Sequence, residues 1–155
     1  MKYETYFKLV LATGLRRGEA CGLKWSDINW RKRTIHVQRG VVKLSHKNQS
    51  LKDPKTSSGD RMVYLSKEMC QLLKAWRKEC EWDRAQTANE TVDDNDYLFR
   101  QPNGKPMNPC TFTYRFKLIL KANSLPLDLN VHSLRHTNAS LLTAQGVDVR
   151  TVLVC

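Results

Sequence analysis

Met69, Leu72, Leu73, Trp76 and Cys80 recur at the three-and-four spacing of one helix face. A helix there must bury that stripe, so the rest of the chain has to supply a partner for it. Ser66 stands just ahead as a helix cap, and Glu68 lies in the first turn, where a carboxylate meets the positive end of the helix dipole. The same spacing rule predicts a helix over Tyr3–Ala12, with Tyr6, Phe7, Leu9, Val10 and Leu11 on its apolar side. It predicts another over Thr111–Ala122, with Phe112, Phe116, Ile119 and Leu120 facing inward. Thr13-Gly14 interrupts the first helix, and Arg16–Leu23 resumes as a short one ending near Trp25. A further helix follows His132, with Ser133 as its cap and Gly146 just past its end, and a last short helix begins near Asp148.

Strand signals are few. Thr34–Gln38 alternates, with Ile35 and Val37 on one side. Val41–Leu44, after a turn at Gly40, and Arg61–Leu65 are the other candidates, and the three are expected to pair into one sheet. Ser45–Asp60, Thr87–Asp96, Gln101–Pro106 and Leu125–Asn130 read as connectors. The expected fold class is mainly α with a small three-stranded antiparallel β-sheet, in a single domain over residues 1–155.

Charge narrows the partner. Lys and Arg number 26 against 15 acids, a formal net charge of +11, which favours a polyanion and places nucleic acid first. The five cysteines contain no C-x-x-C pair and are odd in number, so a disulfide framework or structural zinc is not expected. The N-terminus lacks a signal-peptide core and no apolar run is long enough to span a bilayer, so a cytoplasmic protein without membrane association is expected.

His132 and Arg135 are three apart and share one face near a helix start, where free N–H groups and the dipole favour an anion. With Arg16 they suggest a phosphate site. Thr113, Lys117 and Lys121 form a row at i, i+4 and i+8 that could track a phosphate backbone, or could be a plain solvated face. His132 and His136 also sit at i, i+4, the spacing of a zinc protease. Ser133 stands where such enzymes place a glutamate, so no metal or other cofactor is expected.

Three stretches together resemble the catalytic domain of the tyrosine recombinases, the phage integrase type. They are ATGLRRGEACGLKWSDINWRKRTIHV, PKTSSGDRMVYLS and HSLRHTNASLLTAQGVDV, and they occur in the family's order over nearly the whole chain. The resemblance implies the DNA breaking–rejoining fold and site-specific DNA recombination. It implies that Arg16 and Arg135 clamp the non-bridging oxygens of the scissile phosphate, that His132 assists in proton handling, and that Lys55 protonates the leaving 5′-hydroxyl. Glu19 would orient the region around Arg16, and His136 would support the pocket from within its helix. Lys52, Ser57 and Arg61, around the lysine segment, are assigned to DNA contact with Lys117 and Lys121.

The chemistry fits these residue types. Displacement at a phosphodiester builds negative charge that preorganised cations stabilise, and paired guanidinium groups make bidentate contacts a lysine cannot copy. A general acid helps because the leaving alkoxide is a strong base.

The family continues with a further His or Trp box and a nucleophilic tyrosine. Tyr3, Tyr6, Tyr64, Tyr97 and Tyr114 all precede Arg135, and none is nominated. The expectation is therefore a catalytic-domain fragment without its nucleophile segment and without the upstream DNA-gripping domain. Such a fragment binds duplex DNA but does not cleave it, and self-association on DNA belongs to the full-length protein. The alternative is a non-catalytic basic DNA-binding remnant or regulator.

Overall fold

The rings of Tyr6 and Phe112 lie parallel with centroids 3.5 Å apart, and Phe99 meets both edge-on at 5.3 and 5.7 Å. These three side chains are fully buried and join the first helix to the stretch between residues 99 and 112. The computed structural model describes residues 1–43, 49–52, 60–87 and 90–144. Helix α1 (Lys2–Thr13) carries Tyr6, α4 (Pro109–Ala122) carries Phe112, and Phe99 lies between them in sequence, after α3 (Lys67–Thr87). Trp76 of α3 donates its indole N–H to the Leu98 carbonyl at 2.9 Å and stacks on Phe99, so the long amphipathic helix docks on this aromatic centre.

Local chemistry sets the helix ends. Gly14 closes α1 in the left-handed conformation, φ 65°, and its N–H reaches the Val10 carbonyl at 2.9 Å. Ser66 caps α3 as expected, accepting from the Met69 N–H at 3.1 Å. Helix α4 begins two residues earlier than the sequence suggested. Asn108 accepts from the Cys110 N–H at 2.9 Å, and Pro109 occupies the first helical position, where a missing N–H costs nothing. Its buried stripe is Phe112, Phe116 and Leu120. Ile119, expected on that stripe, is 41% exposed because one residue of helix rotation carries it off the core line.

Helix α5 (Val131–Ala144) starts ahead of His132, so its cap is Asn130 and not Ser133. The two residues bond reciprocally. Ser133 N–H donates to Asn130 Oδ1 and Asn130 N–H donates to Ser133 Oγ, both at 3.1 Å. Gly146 and the expected helix at Asp148 lie outside the described residues.

A three-stranded antiparallel sheet forms, but not from the three predicted strands. β1 (Ile28–Asn29), β2 (Thr34–Val37) and β5 (Arg61–Tyr64) pair in the order β1-β2-β5. Ile28, Ile35 and Val63 stand opposite one another and are buried together, while Met62 and Tyr64 face out. β3 (Gly40–Lys43) leaves this sheet and pairs with β4 (Gln49–Lys52) as a separate hairpin. Asp27 explains the departure. Its carboxylate accepts from Gln38 Nε2 at 2.7 Å and from Arg39 at 2.6 Å, tying residues 38 and 39 back to the 3-10 turn at Trp25–Asp27. The chain then runs against α2 (Arg17–Gly22), where a Cβ on Gly18 would meet the Val41 carbonyl oxygen at 2.5 Å. Only glycine lets the hairpin lie that close.

Candidate phosphate-binding cleft

Arg16 occupies the N-cap position of α2, in extended conformation, and its N–H donates to Glu19 Oε2 at 2.8 Å. Its guanidinium donates to Glu19 Oε1 at 2.9 Å. The sequence Arg-x-x-Glu thus builds a cap in which one carboxylate fixes both the backbone and the side chain of the arginine. Glu19 is nearly buried and is shared. Arg61, at the start of β5, grips both of its oxygens at 3.2 and 3.0 Å. Burial pushes the Glu19 carboxyl up, but the Arg61 bonds, the Arg16 N–H and both positive charges outweigh it, and the group is held below its ordinary value.

The second wall comes from α5. Arg135 donates to the Gly14 carbonyl at 2.7 Å, and Asn138, one turn on, donates to the Leu11 carbonyl at 2.9 Å. Both reach carbonyls at the end of α1, which have no partner within that helix. α5 is thereby clipped across the end of α1, with its first turn facing the Arg16 cap. Gly14 sits at the crossing, where a Cβ would come within 2.8 Å of Asn138 Oδ1.

Between these walls lies a cleft of about 420 Å³ whose lining includes Arg16, Arg17, Thr113, His132 and Arg135. The structure therefore brings three of the sequence-predicted residues together from opposite ends of the chain. His132 is exposed on the α5 side, with the His136 ring edge-on at a centroid distance of 4.5 Å. Partial desolvation, then the His136 ring and the charges of Arg135, Arg16 and Arg17, hold His132 below the usual imidazole range. No carboxylate lines the cleft among the described residues, so its field is positive.

The remaining predicted residues fall elsewhere. Lys55 and Ser57 lie outside the described residues. The backbone of Lys52 belongs to β4. Arg61, assigned to DNA contact, instead turns inward. Its side chain is 8% exposed and its guanidinium is taken up by Glu19, because a buried carboxylate needs a full counter-charge. Lys117 does not extend a free basic row either. Its ammonium donates to the carbonyls of Leu127 and Leu129 and pins the connector between α4 and α5. Lys121 is exposed one turn further along. Arg17, which was not nominated, and Thr113, named only as part of the possible phosphate-tracking row, line the cleft. Arg17 adjoins Arg16, and Thr113 heads the row at i, i+4 and i+8. Among the described residues, no group of three or more His, Cys, Asp or Glu side chains could hold a metal ion, and no helix is long and apolar enough to cross a membrane.

The chain as a whole resembles known proteins. Residues 1–154 match the model of the phage integrase family. The chain is 28% identical over 161 residues to a tyrosine recombinase XerC-like protein of Caldanaerobacter subterraneus, covering 97% of this chain and 41% of that protein. It is 28% identical over 150 residues to the ICEBs1 integrase of Bacillus subtilis, covering 97% of this chain and 40% of that one. Among solved structures, the Tn1549 transposon integrase in complex with transposon right end DNA superposes with a TM-score of 0.80 at 26% identity, over 97% of this chain and 49% of that one. The chain thus spans about two fifths of the length of the curated relatives it matches.

Proposed function

The chain belongs to the phage integrase family of tyrosine recombinases, and from that premise we propose that it is the part of a site-specific DNA recombinase that binds duplex DNA and holds the phosphate to be cleaved. The observation that carries this reading is the convergence of Arg16, His132 and Arg135 on one cleft with no carboxylate in its lining among the described residues. Arg16 and Arg135 take the non-bridging oxygens, each with its backbone surroundings already fixed: Arg16 by Glu19, Arg135 by the Gly14 carbonyl. Donors oriented before the substrate arrives need no reorganisation when charge develops on the phosphorus centre. His132, neutral near pH 7, can exchange a proton at the cleft mouth. Lys55, in the polar segment before β5, is proposed as the general acid for the leaving hydroxyl.

The reading is tested on this chain by fluorescence anisotropy with a labelled duplex. Log affinity should fall with log salt at a slope of about −0.9 per phosphate neutralised. Arg16→Ala and Arg135→Ala should each weaken binding at least about tenfold at fixed salt, the scale of a lost charge-assisted hydrogen bond. In a longer chain that carries a tyrosine nucleophile after Arg135, Arg16→Ala and Lys55→Ala should abolish covalent protein–DNA adducts. Salt-independent binding, or unchanged affinity in both arginine variants, would refute the assignment.

A further inference from the structure

The cleft holds more positive charge than one phosphodiester requires. A diester carries a single negative charge, and two guanidinium groups already satisfy its two non-bridging oxygens. Yet three arginines line the cleft, and the third, Arg17, is placed differently from the other two. Arg16 is charge-paired with Glu19, and Arg135 leans on a backbone carbonyl. Arg17 has no carboxylate within ion-pair distance among the described residues. Its Nη1 approaches only the Thr113 hydroxyl, at 3.4 Å, and that hydroxyl donates in turn to the Pro109 carbonyl at 3.3 Å.

Arg17 is nonetheless not a loose surface arginine. Its own carbonyl accepts the Tyr6 hydroxyl at 3.1 Å, and Tyr6 is fully buried in the aromatic centre. The backbone from which the side chain springs is thus anchored to the core, while the charge stays exposed at the rim. Thr113 belongs to α4, so the pair spans two elements and forms one lip of the cleft.

Resting on the proposal above, we infer that Arg17 and Thr113 form a second phosphate subsite, which takes the phosphate adjacent to the scissile one on the same DNA strand. Arg17 neutralises that phosphate and Thr113 orients the guanidinium; by giving up its long bond to the Pro109 carbonyl, the Thr113 hydroxyl can donate to a phosphate oxygen instead. Consecutive phosphates on one strand advance by about 3.4 Å along the duplex axis, so a strand lying in the cleft presents its next phosphate to the lip beside Arg16. Occupation of both positions would fix the strand's direction through the cleft, which a single phosphate contact cannot do.

The test is the salt dependence of duplex binding by this chain. Arg17→Ala should reduce the magnitude of the log–log slope by about 0.9, so that affinity falls about 3.5-fold less between 50 and 200 mM salt than in the parent. Lys78→Ala removes the same charge from an exposed position on α3 that does not line the cleft, and should leave the slope unchanged. Arg17→Lys should keep the slope but bind more weakly, because charge persists and the fork is lost. Thr113→Val should weaken binding without altering the slope. Circular dichroism confirms that each variant is folded. A parent slope that is steep and identical in Arg17→Ala, or a reduction matched by Lys78→Ala, overturns the second subsite alone. A parent that binds without salt dependence overturns both this inference and the reading it rests on.

Discussion

Replacing Arg61 by methionine tests whether the Glu19 carboxylate is the joint between β5 and the Arg16 cap. The substitution keeps an apolar stem of similar length and removes two charge-assisted bonds of 3.2 and 3.0 Å. It leaves a carboxylate whose side chain is only 11% exposed. Removing one member of a buried pair costs about 3–5 kcal/mol. Arg16 remains as a partner, but its side chain is 58% exposed, so its charge is screened and offsets only part of that loss. The expected cost is about 2–4 kcal/mol, a fall in Tm of roughly 4–16 °C for a domain of this size. The pH dependence follows from the depressed Glu19 carboxyl. Its contribution is complete above the unfolded value, about 4.3, and is lost as pH falls through the lower folded value. The difference between parent and variant is therefore greatest near neutrality and shrinks on acidification. Urea unfolding followed by the fluorescence of buried Trp25 and Trp76 reads both quantities. In a Glu19→Gln background the cost of Arg61→Met should drop by about 1–3 kcal/mol. A cost below about 0.5 kcal/mol, or one that does not shrink in acid, refutes the reasoning.

Three other outcomes follow from the same structure. Gly14→Ala forces a side chain into φ 65° and 2.8 Å from Asn138 Oδ1, and should cost about 1–3 kcal/mol by denaturation, with the Asn138 amide signals shifting in NMR spectra. Asp27→Ala removes the acceptor of Lys24 N–H, Gln38 and Arg39 at a position 1% exposed, and should cost about 3–5 kcal/mol, read as a drop in calorimetric Tm. His132, held below the usual imidazole range, gains charge only as pH falls below the ordinary imidazole value of about 6.5. The charged ring favours phosphate, so duplex affinity should rise below that pH more in the parent than in His132→Gln, and equal pH profiles would exclude the ring from the cleft.

The parts of the fold legible in sequence are those set by local spacing. The stripe on α3, the Ser66 cap and the break at Gly14 are each decided within a few residues. Arg16, His132 and Arg135 were legible through motif resemblance, since nothing local places residue 16 beside residue 135. The misreadings share one cause. Arg61 looks like a surface cation until Glu19, 42 positions earlier, claims it. Lys117 fits a solvated row until the carbonyls of Leu127 and Leu129 fold back over it. β1 is two residues long and gives no alternation to read, and the Asp27 contacts that turn β3 away from the sheet join residues 11 and 12 positions apart, which no strand pattern encodes. Ser133 reads as a cap in the sequence, but Asn130 occupies the position because the helix takes in Val131, which is buried.

The bond from Arg135 to the Gly14 carbonyl spans 121 positions. During synthesis from the N-terminus, a ribosome-bound chain that has emerged as far as Asp128 can already display Arg16 at the head of α2. It still lacks the wall that would make a cation pair of it. The pair of guanidinium groups in the cleft therefore forms only once α5 has been made and has docked on the end of α1.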